Sequence, residues 1–227
     1  SYYVGRFNKL ILSSVKLVSY PTNFSAYAYG LYNANGIVLP NPLSFPIQEK
    51  NIEVENISII LAVGRWYDEV KRIDRLIKMF SIVLKSVPDA KLVIVGPYDF
   101  KAKIPINNQD TVEQLISKLK IPQNQLIFTG QQEDVTLYYR QASVLALTSN
   151  SEGFGMVVLE AAAFGVPTVS FDIPGLEDII HHGENGFIVD QDDLMTMAGY
   201  ISDLLLNNEL LKQIRGRSYE ISKEYSI

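Results

Sequence analysis

Short apolar runs alternate with helical patterns along most of this chain, and this alternation limits the possible fold more than any other feature. Residues 57–63 form an isoleucine-rich apolar run that ends at Gly64, which is typical of a buried strand. The apolar residues between 73 and 87 recur at spacings of three and one, which trace one face of a helix. Further strands are predicted at residues 91–95, 126–129, 143–147, 167–171 and 186–189.

Helical patterns fill the gaps between these strands. They cover residues 110–120, 133–141, 156–165 and 174–181, and a longer helical stretch covers residues 193–225. Strands that alternate with helices at this spacing form right-handed βαβ units around a parallel sheet. We therefore predict an α/β domain built on a doubly wound, Rossmann-like parallel sheet.

The segment before residue 50 does not follow this alternation. The pattern at 8–18 favours a helix that runs into a strand, and the pattern at 23–32 favours an aromatic-rich helix. Residues 38–46 hold three prolines. A stretch so rich in proline is extended and stiff, as interdomain linkers are. The sequence thus predicts the end of one domain and a linker in residues 1–46, and nearly all of a second domain in residues 47–227.

Composition excludes several classes of protein and of site. Twenty basic and twenty-five acidic residues give a net charge of −5, whereas general nucleic-acid binding needs a basic surface. The chain has no cysteine and only two histidines, which excludes thiolate catalysis and cysteine- or histidine-rich metal sites. No apolar run approaches the ~18 residues of a membrane span. We expect a cytoplasmic protein without nucleic acid, metal or other cofactor.

Two loops of the predicted sheet are placed to bind an anion. Ligands of doubly wound sheets bind beyond the carboxyl ends of the strands where the strand order reverses, between the first and fourth strands. The segments that leave those strands are residues 64–71, with Arg65 and Lys71, and residues 148–155, a glycine-flanked turn that opens onto a helix. A helix N-terminus favours phosphate. The space between these two segments, which we call the crevice, is therefore a predicted anion site.

Two carboxylates flank the same turn. Glu152 stands before it, and Glu160 lies within the helix that follows. Paired carboxylates are also typical of glycoside hydrolases. Because the rest of that helix is nearly all apolar, the charge of Glu160 needs a partner or an opening onto a ligand. A sugar or ribose diol, which donates two hydroxyl protons to one carboxylate, would satisfy it.

Several of these segments carry a family resemblance. Residues 152–169, which begin Glu-Gly-Phe-Gly and contain both glutamates, resemble the E-x7-E signature of the large retaining glycosyltransferase family that includes glycogen, sucrose and trehalose synthases and bacterial group 1 transferases. Residues 63–65 and 71–77 resemble the VGR…K segment of that family. The resemblance covers about residues 55–225, and segments at 128–130, 137–139 and 183–189 fall in the family's order and spacing.

The resemblance implies a role for each crevice residue. Arg65 and Lys71 would hold the phosphates of the donor, Glu152 the hydroxyls of the donor sugar, and Glu160 the nucleotide ribose; the first three are the expected catalytic residues. The other implied donor-binding positions are Gly64, Gly153, Phe154, Gly155, Met156 and Val157. The chain departs from the family at Arg72, where glycine is commonest, and in the loop before Lys71, which is one residue longer than usual.

The implied protein is a glycosyltransferase of the GT-B architecture. Residues 47–227 would be its C-terminal, donor-binding domain, which uses a nucleotide-diphosphate sugar, an unidentified hydroxyl acceptor and no metal, with peripheral membrane association left open. The D-x-D pattern at 190–192 also occurs in metal-dependent transferases of another fold, but before a helix it is typical of a cap.

Other interpretations stay open at this point. The chain is alternatively a non-catalytic partner subunit of the same fold, a nucleotide-sugar epimerase or a sugar phosphorylase. For single residues, Arg65 and Lys71 are alternatively solvated charges, Glu152 a carboxylate that balances a helix dipole, and Glu160 a structural ion-pair partner.

Overall fold

The computed structural model describes residues 17–23, 26–27, 36–39, 41–43, 58–101 and 110–225. Two short strands pair in parallel near its start, β1 (Val18–Tyr20) and β2 (Gly36–Val38). A six-stranded parallel sheet follows. Its strands are β3 (Ile59–Val63), β4 (Lys91–Val95), β5 (Leu126–Gly130), β6 (Val144–Leu147), β7 (Thr168–Phe171) and β8 (Gly186–Val189).

The strands of the large sheet lie in the order β5-β4-β3-β6-β7-β8. Counted from β3, this is the order 3-2-1-4-5-6 of the doubly wound fold, so the predicted fold class is confirmed. The reversal falls between β3 and β6, which are direct neighbours. The loops that leave these two strands therefore begin side by side.

Helices connect the strands and cover the sheet. They are α1 (Ile73–Val83), α2 (Val112–Leu119), α3 (Thr136–Gln141), α4 (Met156–Ala163), α5 (Leu194–Leu206) and α6 (Asn208–Ser222), with 3-10 turns at Glu69–Lys71, Leu176–Asp178 and Lys223–Tyr225. None of the helices in the described part of the chain is long and apolar enough to cross a membrane.

The core lies between the sheet and these helices. Ile60, Leu61 and Ala62 of the central strand β3 are fully buried, because a parallel sheet is covered on both faces and its strands read as unbroken apolar runs. Leu76 and Phe80 of α1 are also fully buried, as the spacing of its apolar residues predicts.

The predicted helix at 174–181 is wrong. Only a 3-10 turn forms there, over Leu176–Asp178, and Gly175 precedes it with a φ of 94°. The amide of Asn185 then donates to the carbonyl oxygen of Ile179 (2.8 Å), and its carboxamide oxygen accepts from the backbone N–H of His181 (2.7 Å). These bonds replace the ones that would continue a helix.

The predicted helical stretch at 193–225 is two helices and a 3-10 turn rather than one unit. Asn207 separates α5 from α6, with an extended backbone (φ −114°, ψ 94°) and a side chain that accepts from the N–H of Leu210. An asparagine that caps the next helix in this way ends the previous one. The break lets α5 pack on α1 while α6 packs on α4.

Residues before β3 contact the sheet domain around Asp178. Its carboxylate accepts from the backbone N–H and the side-chain amide of Asn23, at 2.7 and 2.8 Å. The Tyr225 hydroxyl donates to the backbone carbonyl of Asp178 (2.8 Å), and the backbone N–H of Leu43 donates to the carbonyl oxygen of Tyr225 (3.1 Å). The end of the chain and its N-terminal part thus meet at one 3-10 turn.

The predicted boundary between residues 46 and 47 lies outside the described residues, as do the predicted helix that begins at residue 8 and most of the one at 23–32. The division into two domains therefore stays a prediction. The strand predicted at the end of the segment 8–18 is present and begins at Val18.

Candidate functional site

The two loops that line the crevice are joined to each other by hydrogen bonds. The hydroxyl of Thr148 donates to the backbone carbonyl of Lys71 (3.1 Å). Two residues later, the backbone N–H of Asn150 donates to the carbonyl oxygen of Val70 (2.8 Å). The structure therefore brings together the two segments that the topology had placed at one edge of the sheet.

The chain's one tryptophan anchors the loop after β3. Trp66 is 5% exposed; its indole N–H donates to the carbonyl oxygen of Val95 (2.9 Å) and its backbone N–H to that of Pro97 (2.8 Å). At the base of the loop, Gly64 meets Gly96, where an added Cβ would overlap the carbonyl oxygen of Gly64. The backbone around Arg65 is thus held on β4. This role of Trp66 was not predicted from the sequence.

Lys71 and Glu152 form an ion pair across the crevice. The Lys71 ammonium donates to both carboxylate oxygens of Glu152, at 2.8 and 3.1 Å. The two side chains are only 16% and 11% exposed. The resemblance assigns these residues to different parts of one ligand, and here they bind each other.

Arg65 lies in a different environment from Lys71. Its side chain is 67% exposed and its guanidinium lies 3.5 Å from the carboxylate of Asp68, three residues along the same loop. An exposed pair of this kind holds its partners weakly. The Arg65 side chain therefore has the freedom to move, while that of Lys71 is held.

The turn after Glu152 ends at the start of α4. Gly155 is the N-cap residue, with a φ of 80°, and no side chain caps this helix start. An added Cβ at Gly155 would lie 2.5 Å from Leu176 Cδ2, so both conformation and space require glycine there. Phe154 is buried, with its ring 6.1 Å from that of Tyr225, while Gly153 is exposed. The first N–H groups of α4, at Met156 and Val157, have no partner inside the helix and favour an anion.

Glu160 is held by a tyrosine. The hydroxyl of Tyr139 donates to Glu160 Oε2 at 2.8 Å. Tyr139 is fully buried and its ring stacks on that of Phe164, with centroids 5.7 Å apart. Burial, together with the nearby carboxylate of Glu160, holds the pKa of Tyr139 well above its ordinary value. Tyr139 therefore stays protonated and donates at any physiological pH; this contact was not predicted from the sequence.

A buried ionic network lies behind the crevice at the start of α1. Arg72, in the left-handed conformation (φ 52°), donates through Nε and Nη2 to the carboxylate of Asp74, at 2.9 and 3.1 Å. Burial opposes the charge of Asp74, but the hydrogen bonds from Arg72 prevail and hold the pKa of Asp74 below its ordinary value. The arginine that replaces the family's common glycine thus neutralises a fully buried aspartate.

Arg75 extends this network to two more loops. Its Nη1 donates to the carboxamide oxygen of Asn150 (2.7 Å) and its Nη2 to Asp192 (2.6 Å). The last residue of the D-x-D pattern is therefore an ion-pair partner, and the helix cap is Asp193, which accepts from the N–H of Thr196. Among the described residues, no group of three or more histidine, cysteine, aspartate or glutamate side chains is arranged to hold a metal ion.

Curated relatives match most of the chain. An uncharacterized glycosyltransferase of Haemophilus influenzae is 33% identical over 199 residues, which are 86% of this chain and 53% of that protein. The N-acetyl-alpha-D-glucosaminyl L-malate synthase of Bacillus anthracis is 30% identical over 154 residues, 68% of this chain and 38% of that protein. The chain thus spans about half or less of the length of these relatives.

Solved structures share the fold. The crystal structure of HepE from Anabaena in complex with UDP superposes with a TM-score of 0.79 at 22% identity, covering 95% of this chain and 61% of that one. The family model described as "Glycosyl transferases group 1" matches residues 45–221, which include both sides of the crevice. The chain therefore belongs to the group 1 glycosyl transferases, a family of GT-B fold.

Proposed function

We propose that this chain is the donor-binding domain of a retaining glycosyltransferase, which moves a sugar from a nucleotide diphosphate to a hydroxyl acceptor. The observation that carries the proposal is the arrangement of the crevice. A largely buried lysine, a carboxylate and an uncapped helix start converge where the strand order reverses, and a second carboxylate follows on the same helix. A diphosphate flanked by two sugars matches these groups: the diphosphate would meet the lysine and the helix start, and the ribose and the transferred sugar would each meet one carboxylate.

The cationic side of the crevice would act on the leaving group. When the bond between the anomeric carbon and the phosphate oxygen breaks, the electron pair stays with the diphosphate and negative charge grows there. Lys71, Arg65 and the N–H groups at the start of α4 would stabilise that charge, an electrostatic role that needs neither proton transfer nor a metal. The exposed Arg65 would move in from solvent, whereas Lys71 already lies in place.

The two carboxylates would bind the two sugars of the donor. Glu160 has one oxygen bonded to Tyr139, and its position on α4 suits it to the ribose diol. Glu152, at the turn, would accept hydrogen bonds from the transferred sugar and so fix its orientation, which matters because small misplacements reduce rates strongly. In this proposal residues 1–46 belong to the preceding domain and its linker, and the acceptor binds mainly to that domain.

Calorimetric titration of the chain with UDP, GDP, ADP and their common sugar conjugates tests the proposal. We expect selective binding to one base, weakened about 10- to 100-fold by Lys71→Ala, because a charge-assisted hydrogen bond is lost, and weakened also by Arg65→Ala and Glu160→Ala. The matched control is Lys212→Ala, which removes an exposed lysine of α6. A folded protein that bound none of these ligands would favour the non-catalytic partner subunit.

A further inference from the structure

In the crevice, the positive charge of Lys71 is balanced by the negative charge of Glu152. Lys71 donates to both oxygens of Glu152, and both side chains are largely withdrawn from water. Ion-pair interactions strengthen at such a depth, because solvent screens them less than at the surface. The cation that is proposed to receive a phosphate is thus already neutralised by a carboxylate.

The neighbouring cations leave little further positive charge for a bare phosphate. Arg72 is bonded to Asp74, and Arg75 to Asp192 and Asn150. Arg65 is exposed beside Asp68. A phosphate that binds Lys71 therefore competes with Glu152 for the ammonium group, and it then lies close to that carboxylate.

Glu152 cannot withdraw far when this happens. The backbone of its loop is tied to the loop of Lys71 by the Thr148–Lys71 and Asn150–Val70 hydrogen bonds. Only side-chain rotation is available to separate the two charges. A carboxylate that stays partly buried and loses its donor is destabilised unless the ligand supplies new donors.

The two forms of a nucleotide differ in what they offer to that carboxylate. A nucleotide-diphosphate sugar brings hydroxyl donors beside its phosphates. A free nucleoside diphosphate keeps its ribose hydroxyls but has none on the side of its terminal phosphate, and because that phosphate has a second pKa of about 6, it carries one more negative charge near neutral pH. Glu152 therefore accepts hydrogen bonds from the first ligand and repels the second.

Resting on the proposed function, we propose that Glu152 is a specificity-determining residue that makes the crevice select the sugar-bearing donor against free nucleoside diphosphate. The same repulsion promotes release of the nucleotide once the sugar has left. The charge of Glu152 thus acts on the ligand's phosphates through its competition for Lys71, in addition to any contact with the sugar.

The experiment compares dissociation constants for a nucleoside diphosphate, its sugar conjugate and inorganic pyrophosphate, using the base that the wild-type chain binds. In Glu152→Gln, we expect the free diphosphate and pyrophosphate to bind about tenfold more tightly, because the repulsion between carboxylate and phosphate is removed. A tenfold change corresponds to only a small part of the interaction energy of two charges at this depth. The sugar conjugate is expected to bind equally well or more weakly. The dissociation constant of the free diphosphate divided by that of the sugar conjugate thus falls by at least about tenfold.

Asp68→Asn is the matched control, because it makes the same change in net charge on the other loop of the crevice, where the carboxylate lies beside the exposed Arg65. We expect it to leave the ratio unchanged, and we expect Lys71→Met to weaken both nucleotides alike. Thermal unfolding of each variant confirms that it is folded.

An unchanged ratio in Glu152→Gln, or the same change in Asp68→Asn, overturns this inference and leaves the proposed function standing. A wild-type chain that binds neither nucleotide overturns both.

Discussion

Two ion pairs begin at neighbouring residues of the chain and lie in different surroundings. Lys71–Glu152 lines the crevice, with side chains 16% and 11% exposed. Arg72–Asp74 lies behind it, with side chains 7% and 0% exposed. In the second pair Arg72 bonds both oxygens of Asp74, and Lys78 adds a further contact to that carboxylate at 3.4 Å.

The backbone explains how adjacent lysine and arginine side chains reach such different surroundings. Lys71 ends a 3-10 turn, and Arg72 takes a left-handed conformation (φ 52°, ψ 55°) before α1 starts at Ile73. This change of backbone conformation directs the Lys71 side chain to Glu152 in the crevice and the Arg72 side chain to Asp74 behind it. The Arg72–Asp74 pair is thus enclosed by the protein, whereas the Lys71–Glu152 pair lines the crevice proposed to bind the donor.

The largest expected effect distinguishes the two pairs by stability. Asp74→Ala leaves Arg72 charged and buried without its carboxylate, so we expect the free energy of unfolding to fall by about 3–5 kcal/mol. Glu152→Gln keeps an amide oxygen that can still accept a hydrogen bond from Lys71, so we expect a smaller loss of about 1 kcal/mol. Urea unfolding of both variants beside the wild type measures the difference.

The control for this comparison is Asp203→Ala, which removes an exposed aspartate of α5 and is expected to change stability by less than about 0.5 kcal/mol. Equal losses in Asp74→Ala and Glu152→Gln would mean that both pairs are structural, and the division drawn between them would be wrong.

The fold was largely readable from the sequence. The six predicted strands of the sheet match the observed ones to within two residues at each end, because buried parallel strands are unbroken apolar runs between glycine, proline and polar residues. The wrong predictions fall where the hydrogen bonds of one side chain determine whether a helix forms or ends. Asn207 divides the last helical stretch, and Asn185 replaces the bonds of the helix expected at 174–181.

The candidate site was readable only in part. Topology places Lys71 and Glu152 at one edge of the sheet, since parallel strands end together, but their direct contact depends on side-chain geometry. Tyr139 and Arg75 carry no local signal, because Tyr139 meets Glu160 across 21 residues and Arg75 meets Asp192 across 117. Only the packing of α3 against the sheet and the return of the chain after β8 bring these partners together.

Glu160 allows a sharper test of its proposed role, because one of its carboxylate oxygens is held by the Tyr139 hydroxyl. In Tyr139→Phe the stacking on Phe164 is kept and the hydrogen bond to Oε2 is lost. We expect nucleotide affinity to fall by about three- to tenfold, the value of roughly one hydrogen bond.

A thermodynamic cycle with 2′-deoxy and 3′-deoxy nucleotides, measured by calorimetry, shows whether Tyr139 acts through Glu160. The affinity lost on removing a ribose hydroxyl is expected to be smaller in Tyr139→Phe than in the wild type, since the carboxylate is no longer held in position. A Tyr139→Phe variant that weakens ribose and deoxyribose nucleotides by the same factor would assign Tyr139 to packing alone.

The smallest expected effect is a pH dependence confined to the buried pair. The pKa of Asp74 lies below its ordinary 3.8 in the folded protein, so its charge stabilises the fold above that value, and this contribution is lost as the pH falls through the folded pKa. The stability difference between the wild type and Asp74→Asn should therefore shrink as urea unfolding is repeated from about pH 6 to about pH 3. Asp134 and Asp193, whose pKa values are also lowered by hydrogen bonds to threonines, contribute equally to both proteins and cancel in the difference. A difference that stays constant over this range would show that Asp74 stabilises the fold by its shape and not by its charge.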